Sequence, residues 1–135
     1  MTDAYIRFRL DNHGFVNQVA IPSTAVSLTT SQAVKDANHT IYVQKIHLSI
    51  TTHADGKTLD VQDDNGTPVL IARVLDDAEG DSTYGGDYRE WDFGPSGIAL
   101  TAGKNLQYLA NTAGSGFVGQ LMIYGYQKRT VVGAP

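Results

Sequence analysis

The chain has 135 residues, a formal net charge of −4 and no cysteine, which excludes disulfide bonds and thiolate metal sites. Its ten Lys and Arg residues are scattered, so we expect no nucleic-acid partner. Apolar runs fall short of the ~20 residues that a membrane span needs, so we expect no membrane partner. The first four residues do not begin a signal peptide. We therefore expect one domain, made in the cytoplasm.

The N-terminal part predicts a hairpin. Residues 4–10 alternate as in a half-buried strand, whose two sides carry Ile6, Phe8 and Leu10 against Arg7 and Arg9. Residues 15–21 predict a second strand, and Asn12-His13-Gly14 predicts the turn between them.

Residues 24–30 predict a weak strand, and residues 31–38 have room for a short helical turn. We expect residues 1–38 to form a hairpin or arm that packs on the domain or extends from it.

Residues 40–52 predict a long strand in which the apolar positions change parity, so we expect a β-bulge near Gln44-Lys45. Asp63-Asp64-Asn65-Gly66 predicts a hairpin connection between strands at residues 57–62 and 68–75, because Asn-Gly tolerates positive φ angles.

The C-terminal half begins with a polar, acidic, glycine-rich loop at residues 76–87. Further strands are predicted at residues 88–93, 98–101, 105–111 and 117–128. This spacing favours an all-β fold, an antiparallel, jelly-roll-like β-sandwich of about eight strands. We expect the jelly-roll core at residues 39–129 and a loose tail at residues 130–135.

The last strand is apolar on both sides. Phe117, Leu121 and Ile123 share one parity, and the other carries Val118, Met122, Tyr124 and Tyr126. A strand with a solvated outer face is normally polar on one parity, so something is expected to cover this one. Two explanations remain: a second subunit covers this side of the strand, or the N-terminal segment covers it with Phe15, Val16, Val19 and Ile21.

No catalytic motif is present. The four histidines have no metal-binding spacing. Glu90 and Asp92 share a strand face about 7 Å apart, but Trp91 between them favours a strand that flanks the core. Ser96 and Ser115 lie in glycine turns that no predicted helix follows, unlike a nucleophile elbow. We expect no enzyme and no cofactor.

Two binding hypotheses remain. Calcium binding by the acidic loop at residues 76–87 is left open. Tyr84 and Tyr88, with Trp91 nearby, are candidates for an aromatic platform that binds sugar. This platform supports an alternative function as a carbohydrate- or receptor-binding jelly-roll module, such as a fibre or tail tip.

The stretch from Ile41 to Gln127 contains a long I-x-V-x-x-I strand, the Asp-Asn-Gly hairpin, a W-D-F-G-P-S-G-I-A-L-T-A-G element and a closing G-x-L-M-I-Y-G-Y strand. These features, over about two thirds of the chain, resemble small virion proteins of tailed bacteriophages. The resemblance is to the jelly-roll capsid decoration (cement) proteins and related head- or tail-fibre tips.

The resemblance implies a non-enzymatic structural protein on the outer surface of a phage capsid, stabilising it by bridging neighbouring capsid subunits. Its implied partners are the major capsid protein and itself, as a homodimer or homotrimer. We place the self-association surface on Val118, Met122, Tyr124 and Tyr126. We assign the capsid contact to Phe8, Leu10, Phe15 and Val19.

Overall fold

The computed structural model describes residues 12–54, 56–64, 70–76, 87–111 and 116–129. Within these ranges it contains nine β-strands and no helix. The strands are β1 (Asn12–Ile21), β2 (Val26–Gln32), β3 (His39–Thr52), β4 (Lys57–Asp63), β5 (Leu70–Asp76), β6 (Asp87–Asp92), β7 (Ile98–Ala99), β8 (Leu106–Ala110) and β9 (Val118–Arg129).

The strands form two antiparallel sheets. Sheet A has the order β1-β9-β3-β6, with the two-residue strand β7 also paired to β3. Sheet B has the order β2-β8-β4-β5. Without β7, every connection between successive strands crosses from one sheet to the other except the β4–β5 hairpin, as in a jelly roll. The predicted fold class is confirmed.

The core lies between the sheets and follows the period of two that strands impose on side chains. Leu106, Tyr108 and Ala110 of β8 are buried, and the intervening residues are only half-buried. Phe117, which directly precedes β9, and Leu121 and Ile123 of β9 are fully buried, as their shared parity predicts. Among the described residues, the other fully buried aliphatic side chains include Ile21, Ile41, Val43, Ile46, Leu48, Ile50, Leu59 and Val61.

The predicted bulge in β3 is confirmed. Val43 pairs with Gly125 and Lys45 with Tyr124, so one extra β3 residue, Gln44, lies between adjacent partners on β9. The extra residue lets Val43 and Ile46 both point into the core although they are three positions apart.

The turn predicted at Asn12-His13-Gly14 is wrong. These residues begin β1 and pair with Lys128, Gln127 and Tyr126 of β9. The long β9 strand offers them a continuous ladder, which satisfies more backbone groups than a tight turn does. The predicted strand at residues 4–10 lies outside the described residues.

The helical turn allowed at residues 31–38 is also wrong. β2 continues to Gln32, and the chain then makes a turn in which the His39 amide donates to the Asp36 carbonyl at 3.1 Å. The Asp36 carboxylate accepts from the Asn38 amide at 2.8 Å, which favours a turn over a helix.

The hairpin predicted between the strands at 57–62 and 68–75 is confirmed by the antiparallel pairing of β4 with β5, although Asn65 and Gly66 lie outside the described residues. The two aspartates that precede them, Asp63 and Asp64, form hydrogen bonds to the segment between β7 and β8. Asp63 is buried and accepts from the Thr101 amide and hydroxyl at 3.1 and 2.8 Å. Asp64 accepts from the amide and the side chain of Asn105, both at 2.9 Å.

Candidate functional site: the outer face of sheet A

The outer face of sheet A brings together the residues predicted for self-association. Val118, Met122, Tyr124 and Tyr126 alternate with buried residues along β9, so their side chains share this face, and each is half-buried. The neighbouring strands add Val16 of β1, Tyr42 and His47 of β3, and Tyr88 of β6. Val16 is 59% exposed and Tyr88 52% exposed. The face is therefore broad, and its apolar and aromatic side chains lie among charged ones such as Lys45, Glu90 and Asp92.

Two stacked tyrosines form one end of this face. Tyr42 and Tyr126 are cross-strand partners whose ring centroids lie 4.9 Å apart with an interplanar angle of 4°. The Tyr126 hydroxyl donates to the Ser96 carbonyl at 2.8 Å and so ties the loop between β6 and β7 to the sheet. Burial, followed by the nearby Tyr42, raises the pKa of Tyr126.

His47 lies at the middle of the face between two tyrosine edges. Its ring centroid is 5.4 Å from that of Tyr88 and 5.1 Å from that of Tyr124. Glu90 is the charged centre of this cluster: it accepts from the Tyr88 hydroxyl at 3.1 Å and lies 3.6 Å from the Lys45 ammonium. Desolvation, and then the hydrogen bond to Glu90, raises the pKa of Tyr88.

Two depressions flank Pro95 where the loop between β6 and β7 rises above the sheet. The larger has a volume of about 540 Å³ and is lined by Gln44, Lys45, His47, Asp92, Gly94, Pro95 and Tyr124. The smaller has a volume of about 430 Å³ and is lined by Gly14, Gln44, Pro95, Ser96, Gly125, Tyr126 and Lys128. The face thus has depressions as well as apolar side chains, which suits a partner of complementary shape.

Residues 15–21 do not cover this face, so the prediction that Phe15, Val16, Val19 and Ile21 cover it from within the same chain is wrong. They belong to β1, which extends sheet A beside β9 instead of lying across it. Phe15 and Val19 are half-buried and pack against the core. Phe8 and Leu10 lie outside the described residues, and the capsid contact assigned to these four residues stays a prediction.

The predicted sugar platform is only partly described. Tyr88 lies on the outer face, whereas Tyr84 is outside the described residues. Trp91 packs against the core, because its β3 partner is the buried Ile46. Asp92 is on the outer side, where its carboxylate accepts from the Gly94 amide at 2.9 Å and shapes the turn that follows β6. Glu90 and Asp92 therefore have structural partners.

Sequence reasoning missed Val16, Tyr42 and His47 as members of this face. Their sequence neighbours give no signal, because the grouping depends on β1 and β3 flanking β9 and on the bulge that sets the β3 register. In the described part of the chain, no group of three His, Asp or Glu residues is arranged to hold a metal ion. The same residues include no helix long and apolar enough to cross a membrane.

Comparison with known proteins yields likenesses in structure alone. No family model and no curated protein sequence matches the chain. A chain of the acidic stable capsid structure of Helicobacter pylori bacteriophage KHP30 superposes with a TM-score of 0.53 at 11% identity, covering 86% of this chain and 89% of that one.

Weaker likenesses are to a chain of infectious bursal disease virus, Gx strain, and to a carbohydrate-binding module of Cellvibrio mixtus lichenase 5A. The viral chain has a TM-score of 0.37 at 10% identity and covers 90% of this chain and 37% of that one. The module has a TM-score of 0.28 at 16% identity, with 90% and 74% covered. The chain therefore shares its β-sandwich fold with a chain of a phage capsid structure.

Proposed function

We propose that this chain is a non-enzymatic structural protein of a phage virion, which binds the outer surface of the capsid and stabilises it by bridging neighbouring subunits. The observation that carries the proposal is the outer face of sheet A, where Val16 is 59% and Tyr88 52% exposed. Beside them, the side chains of Val118, Met122, Tyr124 and Tyr126 are partly exposed. Exposed apolar and aromatic groups gathered on one face fit a contact with another protein. The shared fold with a phage capsid chain is compatible with this function.

The contact with the capsid is best assigned to the outer face. Phe15 and Val19, two of the four residues expected to touch the capsid, lie on the inner side of β1 and pack against the protein's own core. The outer face offers Tyr88, Tyr124 and Tyr126 instead, and tyrosine is enriched at protein interfaces. The sequence-based assignment of this face to self-association remains the competing prediction.

Bridging adds a requirement for more than one contact. One domain that presents one face holds one neighbour, whereas an oligomer that presents two or three copies of the face holds several at once. Avidity then strengthens binding without any new type of contact. Self-association of this chain through a surface that leaves the capsid-binding face free would supply these additional contacts.

A matched pair of substitutions tests the face. Tyr88→Lys places a charge on the outer face of sheet A, and Leu28→Lys does the same on β2 of sheet B, where Leu28 is 49% exposed. Cosedimentation with phage heads that lack the protein is expected to weaken at least about tenfold for Tyr88→Lys and little for Leu28→Lys.

The oligomeric state of both variants is measured in parallel. Equal head binding by the two variants contradicts the assignment of the capsid contact to this face. Loss of the oligomer in Tyr88→Lys supports the competing self-association assignment.

A second candidate, carbohydrate or receptor binding, is favoured by the larger depression. Tyr124 and Pro95 supply ring faces there, and Lys45, His47 and Asp92 supply polar groups, a combination that suits a hydroxyl-rich ligand. Its volume of about 540 Å³ lies within the usual range for small ligands. A glycan array is the test: selective binding that Tyr124→Ala abolishes supports this candidate, and the absence of any glycan signal removes it.

A further inference from the structure

The smaller depression on the outer face of sheet A has walls that are tied to the sheet. It lies where Gly14 of β1 meets Tyr126 of β9, beside the loop that carries Pro95 and Ser96. Gln44 Nε2 donates to the Pro95 carbonyl at 2.7 Å, and the Tyr126 hydroxyl donates to the Ser96 carbonyl at 2.8 Å. These two bonds fix the loop, so the depression is pre-formed, as binding sites usually are.

Gly14 is a glycine that the described part of the fold does not require. It lies in a ladder without a register shift, and its φ angle is not positive. A Cβ atom there would lie 3.9 Å from the nearest atom, the Gly125 carbonyl oxygen, which is an ordinary contact. Glycine weakens a strand, and it often marks a place where a ligand or another backbone approaches closely. The space above Gly14 therefore suits a group from outside the chain.

Lys128 is the only charged residue among the described residues that line this depression. It lies two positions after Tyr126 on β9, so its side chain is on the outer face. Its ladder partners, Asn12 and Thr40, are uncharged. None of the described carboxylates lies within ion-pair distance of its ammonium group. The positive charge is thus available to a partner.

The larger depression differs in its charge. Lys45 and Asp92 both line it, and the Lys45 ammonium also lies 3.6 Å from Glu90. Positive and negative groups therefore compensate each other there. At the smaller depression only an anionic group from the partner would complement Lys128, and such complementarity gives an interface its specificity and register.

We propose that the smaller depression receives an aspartate or glutamate side chain of the capsid surface, whose carboxylate pairs with Lys128 above Gly14. This inference rests on the proposed function, because it names the chemistry of the capsid partner at the same face. The methylene groups of the acidic side chain would pack against the rings of Tyr126 and Pro95. One pre-formed depression with one charge would then fix the position of this chain on the capsid.

The first test fills the depression. Gly14→Val adds a side chain above the strand, and Ala20→Val adds bulk on the outward side of the same strand, at its other end. We expect Gly14→Val to fold with unchanged or higher stability, because valine favours strands. Its cosedimentation with phage heads that lack the protein is expected to weaken at least about tenfold, and that of Ala20→Val little. Unweakened binding of Gly14→Val overturns the proposal.

The second test removes the charge. Lys128→Gln is compared with Arg129→Gln, which removes the adjacent exposed cation from the other side of β9. We expect Lys128→Gln to weaken head binding at least about tenfold and to make it less sensitive to salt, whereas Lys128→Arg and Arg129→Gln bind nearly as wild type does. Equal losses in Lys128→Gln and Arg129→Gln overturn the proposal, because net charge alone would then explain them.

The third test identifies the occupant. A carbodiimide, which couples a lysine amine directly to a nearby carboxylate, is applied to heads saturated with the wild-type protein. Mass spectrometry is expected to find Lys128 joined to an aspartate or glutamate of the major capsid protein. Coupling of Lys128 only to carboxylates of this protein's own sequence, or no coupling of Lys128, overturns the proposal.

The two proposals fail in different ways. Saturable head binding by wild type that neither Gly14→Val nor Lys128→Gln weakens supports the capsid function and contradicts the acidic occupant. No head binding by the wild-type protein contradicts the capsid function and the inference that rests on it.

Discussion

The rings of Tyr42 and Tyr126 stack 4.9 Å apart across β3 and β9, and of the two only Tyr126 has a hydroxyl partner among the described residues, the Ser96 carbonyl at 2.8 Å. Tyr126 thus joins the sheet to the loop between β6 and β7, and Tyr42 packs against the Tyr126 ring. This pair fixes the position of that loop above the outer face.

Removal of the Tyr126 hydroxyl is expected to loosen the loop. Tyr126→Phe keeps the stacked ring and loses one hydrogen bond, which lowers the free energy of unfolding by about 0.5–1.5 kcal/mol. Chemical denaturation measures this loss, and amide exchange at Gly97 is expected to accelerate. Tyr42→Phe is the matched control, and an equal loss in the control contradicts the role assigned to the Tyr126 hydroxyl.

Stability is also expected to fall at alkaline pH. The pKa values of Tyr88 and Tyr126 in the folded protein are raised above the ordinary value of 10.0, chiefly by desolvation. The unfolded chain therefore releases these protons first as the pH rises through about 10, and the free energy of unfolding decreases until the folded pKa values are passed. Denaturation at pH 8 and pH 11 should show a smaller decrease in Tyr126→Phe than in wild type. An identical decrease contradicts the raised pKa of Tyr126.

Gly125 of β9 has no room for a side chain. A Cβ atom there would lie 2.2 Å from the Tyr42 carbonyl oxygen and 2.7 Å from Cζ of Phe15. At the adjacent Gly14, by contrast, a Cβ atom would lie 3.9 Å from the nearest atom, the Gly125 carbonyl oxygen. We expect Gly125→Ala to destabilise the fold by about 1–3 kcal/mol or more through overpacking, and Gly14→Ala to have little effect. Thermal unfolding of both variants is the measurement, and equal melting temperatures contradict the close packing of β3, β9 and Phe15.

Asn111 closes the end of β8 with three hydrogen bonds. Its side-chain amide donates to the Pro22 and Phe117 carbonyls, both at 2.8 Å, and its side-chain oxygen accepts from the Phe117 amide at 3.1 Å. Its φ of 55° is left-handed, a conformation that glycine and asparagine tolerate. Asn111→Gly keeps that backbone conformation accessible but loses the bonds, and Asn111→Ala adds strain.

We therefore expect a loss of about 2–4 kcal/mol for Asn111→Gly and a larger loss for Asn111→Ala. Equilibrium unfolding of the two variants separates the contributions. A neutral Asn111→Gly contradicts the bonding role, because the backbone groups it leaves unpaired are buried beside Phe117.

The sandwich was predictable because strand periodicity is local. The alternation of Leu106, Tyr108 and Ala110 and the parity change at Gln44-Lys45 both appear in the structure. The Asn12-His13-Gly14 turn was mistaken because local turn preference competes with a distant strand, and the ladder offered by residues 126–128 cannot be seen from the neighbouring sequence.

The site was predictable in part for the same reason. The doubly apolar pattern of β9 identified Met122, Tyr124 and Tyr126, which lie on one face. It did not identify Tyr42 or His47, because their place beside these residues depends on the order β9-β3 and on the bulge. Pairing across more than 70 residues of chain is set by tertiary packing, which outweighs local propensity.

The most direct test of the capsid function is saturable cosedimentation of the purified protein with phage heads that lack it, quantified by mass spectrometry of the washed particles. The account predicts saturation at a fixed ratio to the major capsid protein, together with heads that resist heat or chelating agents better than bare heads do. Binding at only a few copies per particle, or no binding at all, would contradict it.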